Sequence, residues 1–230
     1  MMYPSANAAN KAKEAETSKM TISLSVFELL ASRICHDLIS PVGAVHNGVE
    51  FLEEMGAGEN EAIELISHSA QQASAKLQAF RLAYGAGGRD PNIKLENVYN
   101  TFDDLVSGDG KIKQTWDPHA QIGPETLPPG FCKILMGVLM LMQESLARGG
   151  TVTVTNADTP DGVFIVAEGE GAALRPDVIQ ALKMDIDTDA LDPRTIHPYI
   201  MSSLASSYGF WLEVAEESEN KIVLSLKILS

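Results

Sequence analysis

The chain has 230 residues, 45% hydrophobic and 21% charged, which is material for one sizeable core or two small ones in an ordinary soluble protein. Its 17 Lys and Arg face 31 Asp and Glu, and the resulting charge of -14 repels a phosphate backbone and anionic lipid alike. Nucleic acid and membrane surfaces are therefore excluded as expected partners. The opening "MMYPSANAANKAKEAETSKM" has no apolar stretch of the signal-peptide kind, and no later run approaches the roughly 18 apolar residues of a membrane span. Residues 1–20 are predicted to be a disordered tail, and the setting a reduced cytoplasm in which Cys35 and Cys132 are small core residues.

Two long helices follow. From Phe27, the apolar or small residues Ala31, Ile34, Leu38, Val45, Val49 and Leu52 recur three, four or seven apart, which keeps them on one side of a helix. "MGAGEN", 55–60, supplies a turn, and Ile63, Ile66, Ala70, Ala73, Leu77, Phe80 and Tyr84 then repeat in three-four alternation until Gly85. Two helices cannot bury two seams, so the hairpin is expected to pair with a second copy as a four-helix bundle, or else to pack on the rest of the chain.

"GAGGRDPN", 85–92, reads as a loop and sets a domain boundary, with a helical hairpin over 21–88 and a second domain over 89–230. Beyond it the patterns predict a helix over Glu96–Val106, a strand over Ile112–Trp116 and a long apolar helix over Phe131–Ala147. The strands "TVTVT" and "VFIVAE" come next, then short helices over Pro176–Lys183 and Pro198–Tyr208, and a final strand pair, "FWLEVAE" and "KIVLSLKI". This order makes an α+β sandwich with helices on one face of a mainly antiparallel sheet.

Within "RICHDLISPVGAVHNGVEFL", 33–52, His36 lies two residues from both Ile34 and Leu38, hence about 170° from the seam and facing solvent. Ser40, Gly43 and Asn47 share that outer face. An exposed imidazole among small side chains is a nucleophile that another protein can reach. Pro41 costs roughly 3 kcal/mol in a helix interior by removing the hydrogen bond to the carbonyl of Asp37, so a kink or loosened turn beside His36 is expected. His68 also faces outward but lacks a neighbouring acid and proline. His46 flanks the seam, and His119 and His197 sit in loop-like settings. Lys76 and Arg81 on the second helix offer positive charge to an acidic partner surface.

"HDLISP" resembles the H-box of histidine-kinase dimerisation and phosphotransfer domains, where a phosphorylated histidine is followed by an acid and, five residues on, a proline. The wider "RICHDLISPVGAVHNGVEFLEE", the hairpin and the length of the remaining domain resemble the ChpT histidine phosphotransferase family over roughly residues 24–228. The resemblance implies His36 as phosphoacceptor, Asp37 as its acid/base helper, and Arg33 and Ser40 at the border of a docking surface. It implies receiver domains of CckA-like hybrid kinases and of CtrA- or CpdR-like response regulators as partners. No cofactor of the chain's own is expected, because the receiver brings the Mg²⁺ and a lysine.

A histidine kinase of this architecture needs an asparagine on a long helix for Mg²⁺, an Asp-x-Gly-x-Gly turn for adenine and a glycine-rich lid. This chain has no Asn between 101 and 155, holds Glu170 and Ala172 at the glycine positions of "EGEGA", and has no glycine from Ala172 to Tyr208. Autophosphorylation from ATP is not expected, and the second domain resembles a degenerate ATPase fold. Two functions remain open: a phosphorelay enzyme working through His36, or a non-catalytic dimeric adaptor that holds a receiver or blocks a kinase with the same face. An active kinase is a third, tested by ATP binding.

Overall fold

The computed structural model describes residues 23–55, 59–86, 90, 92–108, 110–157, 159 and 161–229. The predicted tail, the centre of the first glycine turn and most of the 87–91 loop lie outside the described residues. Helix α1 spans Leu24–Met55 and α2 spans Glu59–Tyr84, and they pack along each other as the expected hairpin. Gly48 permits their closest approach: a Cβ there would stand 2.6 Å from Cγ1 of Ile66.

The rest is α3 (Leu95–Val106), β1 (Ile112–Gln114), α4 (Phe131–Ser145), β2 (Gly150–Asn156), β3 (Gly162–Glu168), α5 (Pro176–Leu182), α6 (Ile196–Ser207), β4 (Phe210–Ser218) and β5 (Lys221–Ile228). A short 3-10 turn at Thr188–Ala190, which no sequence signal marked, lies between α5 and α6. The sheet order is β1-β2-β3-β5-β4, with β1 parallel to β2 and every other pair antiparallel. Ile165 faces Val154 on one side and Leu224 on the other, so one row of apolar side chains crosses three strands. With Val152, Val163, Ala167, Ile222 and Leu226, these form the buried face, while Phe164 and Val166 on the opposite face are only half-buried. The α+β sandwich is therefore as expected.

Several boundaries shift by one or two residues, the apolar helix ending at Ser145 where Ala147 was expected, and two of the shifts have local reasons. Strand β1 stops at Gln114, and Trp116 beyond it turns inward against Tyr99 with ring centroids 5.2 Å apart. Helix α6 begins at Ile196, two residues before Pro198, because a proline in a first turn removes only an N–H that has no intrahelical partner.

Helix α4 is buried on every side from Phe131 to Met142. Strands β2 and β3 cover one side, and α2, α3 and α6 cover the others. The C-terminal half of α2 supplies Ala79, Phe80 and Ala83 to this packing, so the hairpin also packs on its own chain. A buried polar chain ties the two parts: the Tyr84 hydroxyl donates to Nδ1 of His197 at 2.5 Å, and Nε2–H of His197 donates to the carbonyl of Gly137 at 2.9 Å. Burial pushes the tyrosine hydroxyl up and the imidazole down to about 3, with the charge of Arg33 also lowering the latter. His197 is thus a helical core residue, not the loop residue that its flanking sequence predicts.

This burial sets a pH dependence. His197 is neutral in the fold, whereas in the unfolded chain it titrates at its ordinary 6.5. Between 6.5 and about 3 the unfolded chain binds a proton that the folded chain does not, so stability is full above this range and falls as pH drops through it. The slope is about 1.4 kcal/mol per pH unit. Urea midpoints measured from pH 7 to pH 4.5 should fall more steeply for the wild type than for His197→Gln.

Candidate functional site

The outer face of α1 presents His36 with its side chain 88% exposed. Its Nδ1 lies 3.3 Å from Oδ1 of Asp37. A carboxylate oxygen accepts, so the tautomer that this contact favours carries its proton on Nδ1 and leaves Nε2 as the lone-pair nitrogen. His68 is also exposed, but its Nε2 is engaged by the side-chain amide of Gln72 at 2.9 Å. His46 is exposed beside Glu50, with Nε2 3.4 Å from Oε1. Of these three, His36 alone couples a carboxylate on Nδ1 with a disengaged Nε2.

Helix α1 runs unbroken through Pro41, which is buried. Proline leaves the Asp37 carbonyl without its helical donor, and Nζ of Lys76 on α2 donates to that oxygen at 3.0 Å. The expected loosened turn is replaced by a bond from the neighbouring helix. Lys76 is accordingly half-buried inside the hairpin and does not belong to an outward docking surface.

Arg33 also departs from its expected place. Its side chain is 9% exposed because it points at the second half of the chain, where Nη1 donates to the carbonyl of Pro193 at 2.9 Å and Nη2 bonds the carboxylate of Glu144. Its Nε lies 3.9 Å from Oδ2 of Asp37. Ser40, Asn47 and Arg81 are exposed as expected, and Gly43 is half-buried with open space where a Cβ would stand. Cys132 is buried, whereas Cys35, next to His36, is exposed and is no core residue.

Between α1 and the second half lies a cavity of about 690 Å³ lined by His36, Asp37, Glu144, Leu174, Arg175 and Arg194 among others. No motif singled out Glu144, Arg175 or Arg194. For Glu144 a signal existed: an acid in the last turn of α4 opposes the helix dipole and calls for a cation, and Arg33 is that cation. Loss of hydration in the cavity wall raises the carboxyl of Glu144 above its ordinary range, and Arg33 offsets only part of that rise.

The family of histidine phosphotransferase C-terminal domains matches residues 95–220. Protein phosphotransferase ChpT of Brucella abortus (strain 2308) is 32% identical over 201 residues, covering 86% of this chain and 93% of that protein. The chain belongs to the ChpT family of protein phosphotransferases. A solved structure of a bacterial phosphotransferase covers 90% of this chain and 98% of its own at 32% identity, with a TM-score of 0.73. The histidine kinase AdeS of Acinetobacter baumannii aligns over 84% of this chain and 97% of its own at 10% identity and a TM-score of 0.45, too distant to bear on the site. Phosphoryl transfer within a phosphorelay is therefore the activity class of the chain. No helix among the described residues is long and apolar enough to cross a membrane.

The proline-lysine arrangement has a measurable signature. Lys76→Met should cost about 1 kcal/mol in urea unfolding by leaving a half-buried carbonyl unpaired. The same change should cost less in a Pro41→Ala background, where the restored N–H satisfies Asp37 from within the helix.

Proposed function

We propose that the chain is the phosphohistidine intermediate of a phosphorelay, with His36 taking a phosphoryl group from the receiver aspartate of a hybrid histidine kinase and passing it to receiver aspartates of response regulators. The observation that carries this reading is the exposed His36 imidazole with Asp37 on Nδ1. Nε2 attacks phosphorus in line as the aspartyl oxygen leaves with its electron pair. The ring gains positive charge, which the Asp37 carboxylate stabilises through the Nδ1–H. In the return step the acceptor carboxylate attacks and the ring leaves as neutral imidazole. Asp37 thereby helps both directions by holding the Nδ1 proton and stabilising the charge that the ring gains and loses. The Mg²⁺ and lysine that neutralise the phosphoryl oxygens belong to the receiver. By family resemblance the donor is CckA-like and the acceptors CtrA- or CpdR-like, meeting the chain in the cytoplasm at Ser40, Gly43, Asn47 and Arg81.

In this reading the division of labour falls at the 85–92 loop: residues 21–88 carry the histidine, and 89–230 form a degenerate ATPase-like domain without ATP. Supporting the latter, the candidate adenine turn is occupied by its own chain. Glu168 pairs with Lys221 at 3.6 Å, Glu170 with Arg148, and the N–H of Gly171 donates to Oδ1 of Asn220 at 2.7 Å.

A homodimer completes the reading. The seam residues Ala31, Ile34, Leu38, Val45 and Leu52 are only half-buried in one chain, and an exposed stripe beside them runs Cys35, Ile39, Val42, His46 and Val49 at four-three spacing. On α2, Ile63, Ala70 and Leu77 are exposed seven apart. Ile39 at 69%, Val42 at 55%, Ile63 at 53% and Leu77 at 52% exposure are apolar surface that a second hairpin covers in a four-helix bundle.

Incubation with a phosphorylated receiver should give an acid-labile, base-stable phosphate that is abolished in His36→Ala and retained in His68→Ala. Binding without label would instead identify an adaptor, and label from ATP alone a kinase. Light scattering should give twice the 24.8 kDa chain mass for the wild type and the single mass for Val42→Glu/Leu77→Glu.

A further inference from the structure

Arg33 is the side chain through which the surroundings of His36 meet the second half of the chain. Its guanidinium is held on two sides, by the carbonyl of Pro193 at 2.9 Å and by the Glu144 carboxylate on α4. Its third donor, Nε–H, is buried and has no hydrogen-bond partner among the described residues. An unsatisfied buried donor is costly, and the acceptor facing it is Oδ2 of Asp37 at 3.9 Å. A shift of about 1 Å brings that oxygen to hydrogen-bond length. The other oxygen of Asp37 faces Nδ1 of His36 at 3.3 Å, also long for an N–H donor. Glu144, Arg33, Asp37 and His36 thus form a row whose two fixed anchors are in the second half and whose last two links are slack, as catalytic hydrogen bonds often are before the partner is bound.

We propose that Arg33, fixed by Glu144 and Pro193, is a positioning residue that holds the Asp37 carboxylate against Nδ1 of His36, so that the second half of the chain governs the reactivity of the histidine. The inference deepens the relay reading and rests on His36 as phosphoacceptor. Arg33 suits this position because a planar fork reaches three acceptors at once, which a lysine ammonium on a single stem cannot do with the same geometry. Its charge also keeps two carboxylates, Asp37 and Glu144, compatible on one cavity wall.

The test uses a donor too small to dock. In phosphoramidate, the P–N bond to the amine breaks as Nε2 of His36 bonds phosphorus. The amine, already protonated in the reagent, leaves as ammonia with the P–N electron pair, and the ring keeps its Nδ1 proton against Asp37. Formation of phosphohistidine is followed by ³¹P NMR on the full chain, with circular dichroism to verify folding. Glu144 has its side chain 42% exposed, so Glu144→Leu is the variant least exposed to failure of folding. Glu144→Leu should slow labelling about ten-fold, within the roughly hundred-fold that a 1 Å misplacement of reacting groups can cost, with Arg33→Lys slowed as well. Asp37→Asn should be slow, and adding Glu144→Leu to it should cost nothing more.

Unchanged phosphoramidate rates in Glu144→Leu and Arg33→Lys overturn the inference, since they reduce the pair to a structural contact. So do losses that multiply in the double variant, because Glu144 then acts independently of Asp37. A wild type that takes no label at His36 refutes the relay reading and the inference together. Labelling without exchange with a receiver aspartate refutes the relay reading alone, while the variant series still decides the positioning role.

Discussion

A helix that is apolar around its whole circumference has to be covered on every side, and the position of everything else follows from covering α4. The sheet supplies one side and α3 and α6 flank it, but α2 of the hairpin is needed to close the remainder. Leaving that side open would expose a face of Ile, Leu, Met and Val to water at about 25 cal/mol per Å². The cover uses only the C-terminal half of α2, with the N-terminal half of α1 alongside. The rest of the hairpin extends beyond the sandwich. His36 falls where this cover ends, one turn past Arg33, which still faces the second half.

The same boundary explains why polar groups collect there. Tyr84, His197, Arg33 and Lys76 are each half-buried or buried, Glu144 stands exposed at their edge, and each donates to or accepts from a partner on a different element. Such bonds contribute modestly to stability when made and are expensive when broken, so they fix orientation more than they add free energy. In the proposed relay, fixed orientation is what the histidine side contributes, the charge-neutralising groups being assigned there to the receiver. Pro41 fits the same pattern: it frees the carbonyl of the residue next to His36, and Lys76 takes that carbonyl across the hairpin.

Much of the site was legible in the residues because its signals are local. Helical periodicity alone placed His36 outward, and the adjacent acid and the proline marked it apart from His68, which the structure also leaves exposed. What the pattern mixed together was the seam. Ile63, Ala70 and Leu77 repeat in phase with Ile66, Ala73 and Phe80, yet the first three are exposed and the others are half-buried or buried. Periodicity reports that a face is apolar and carries no information on which body covers it.

The sequence by itself therefore determined the elements, the face on which His36 stands, the acid on its flank and the glycine-free run from Ala172 to Tyr208, all properties of residues local to one another in the chain. Only the tertiary structure decided the fate of the long polar side chains. Arg33 and Lys76 read as outward cations, because a charged residue on a helix is usually solvated. They are instead held by Glu144, 111 residues away, and by the Asp37 carbonyl, 39 residues away. A flexible side chain takes the partner that folding brings within reach, and contacts over such separations are set by the packing of α4, which no local spacing encodes.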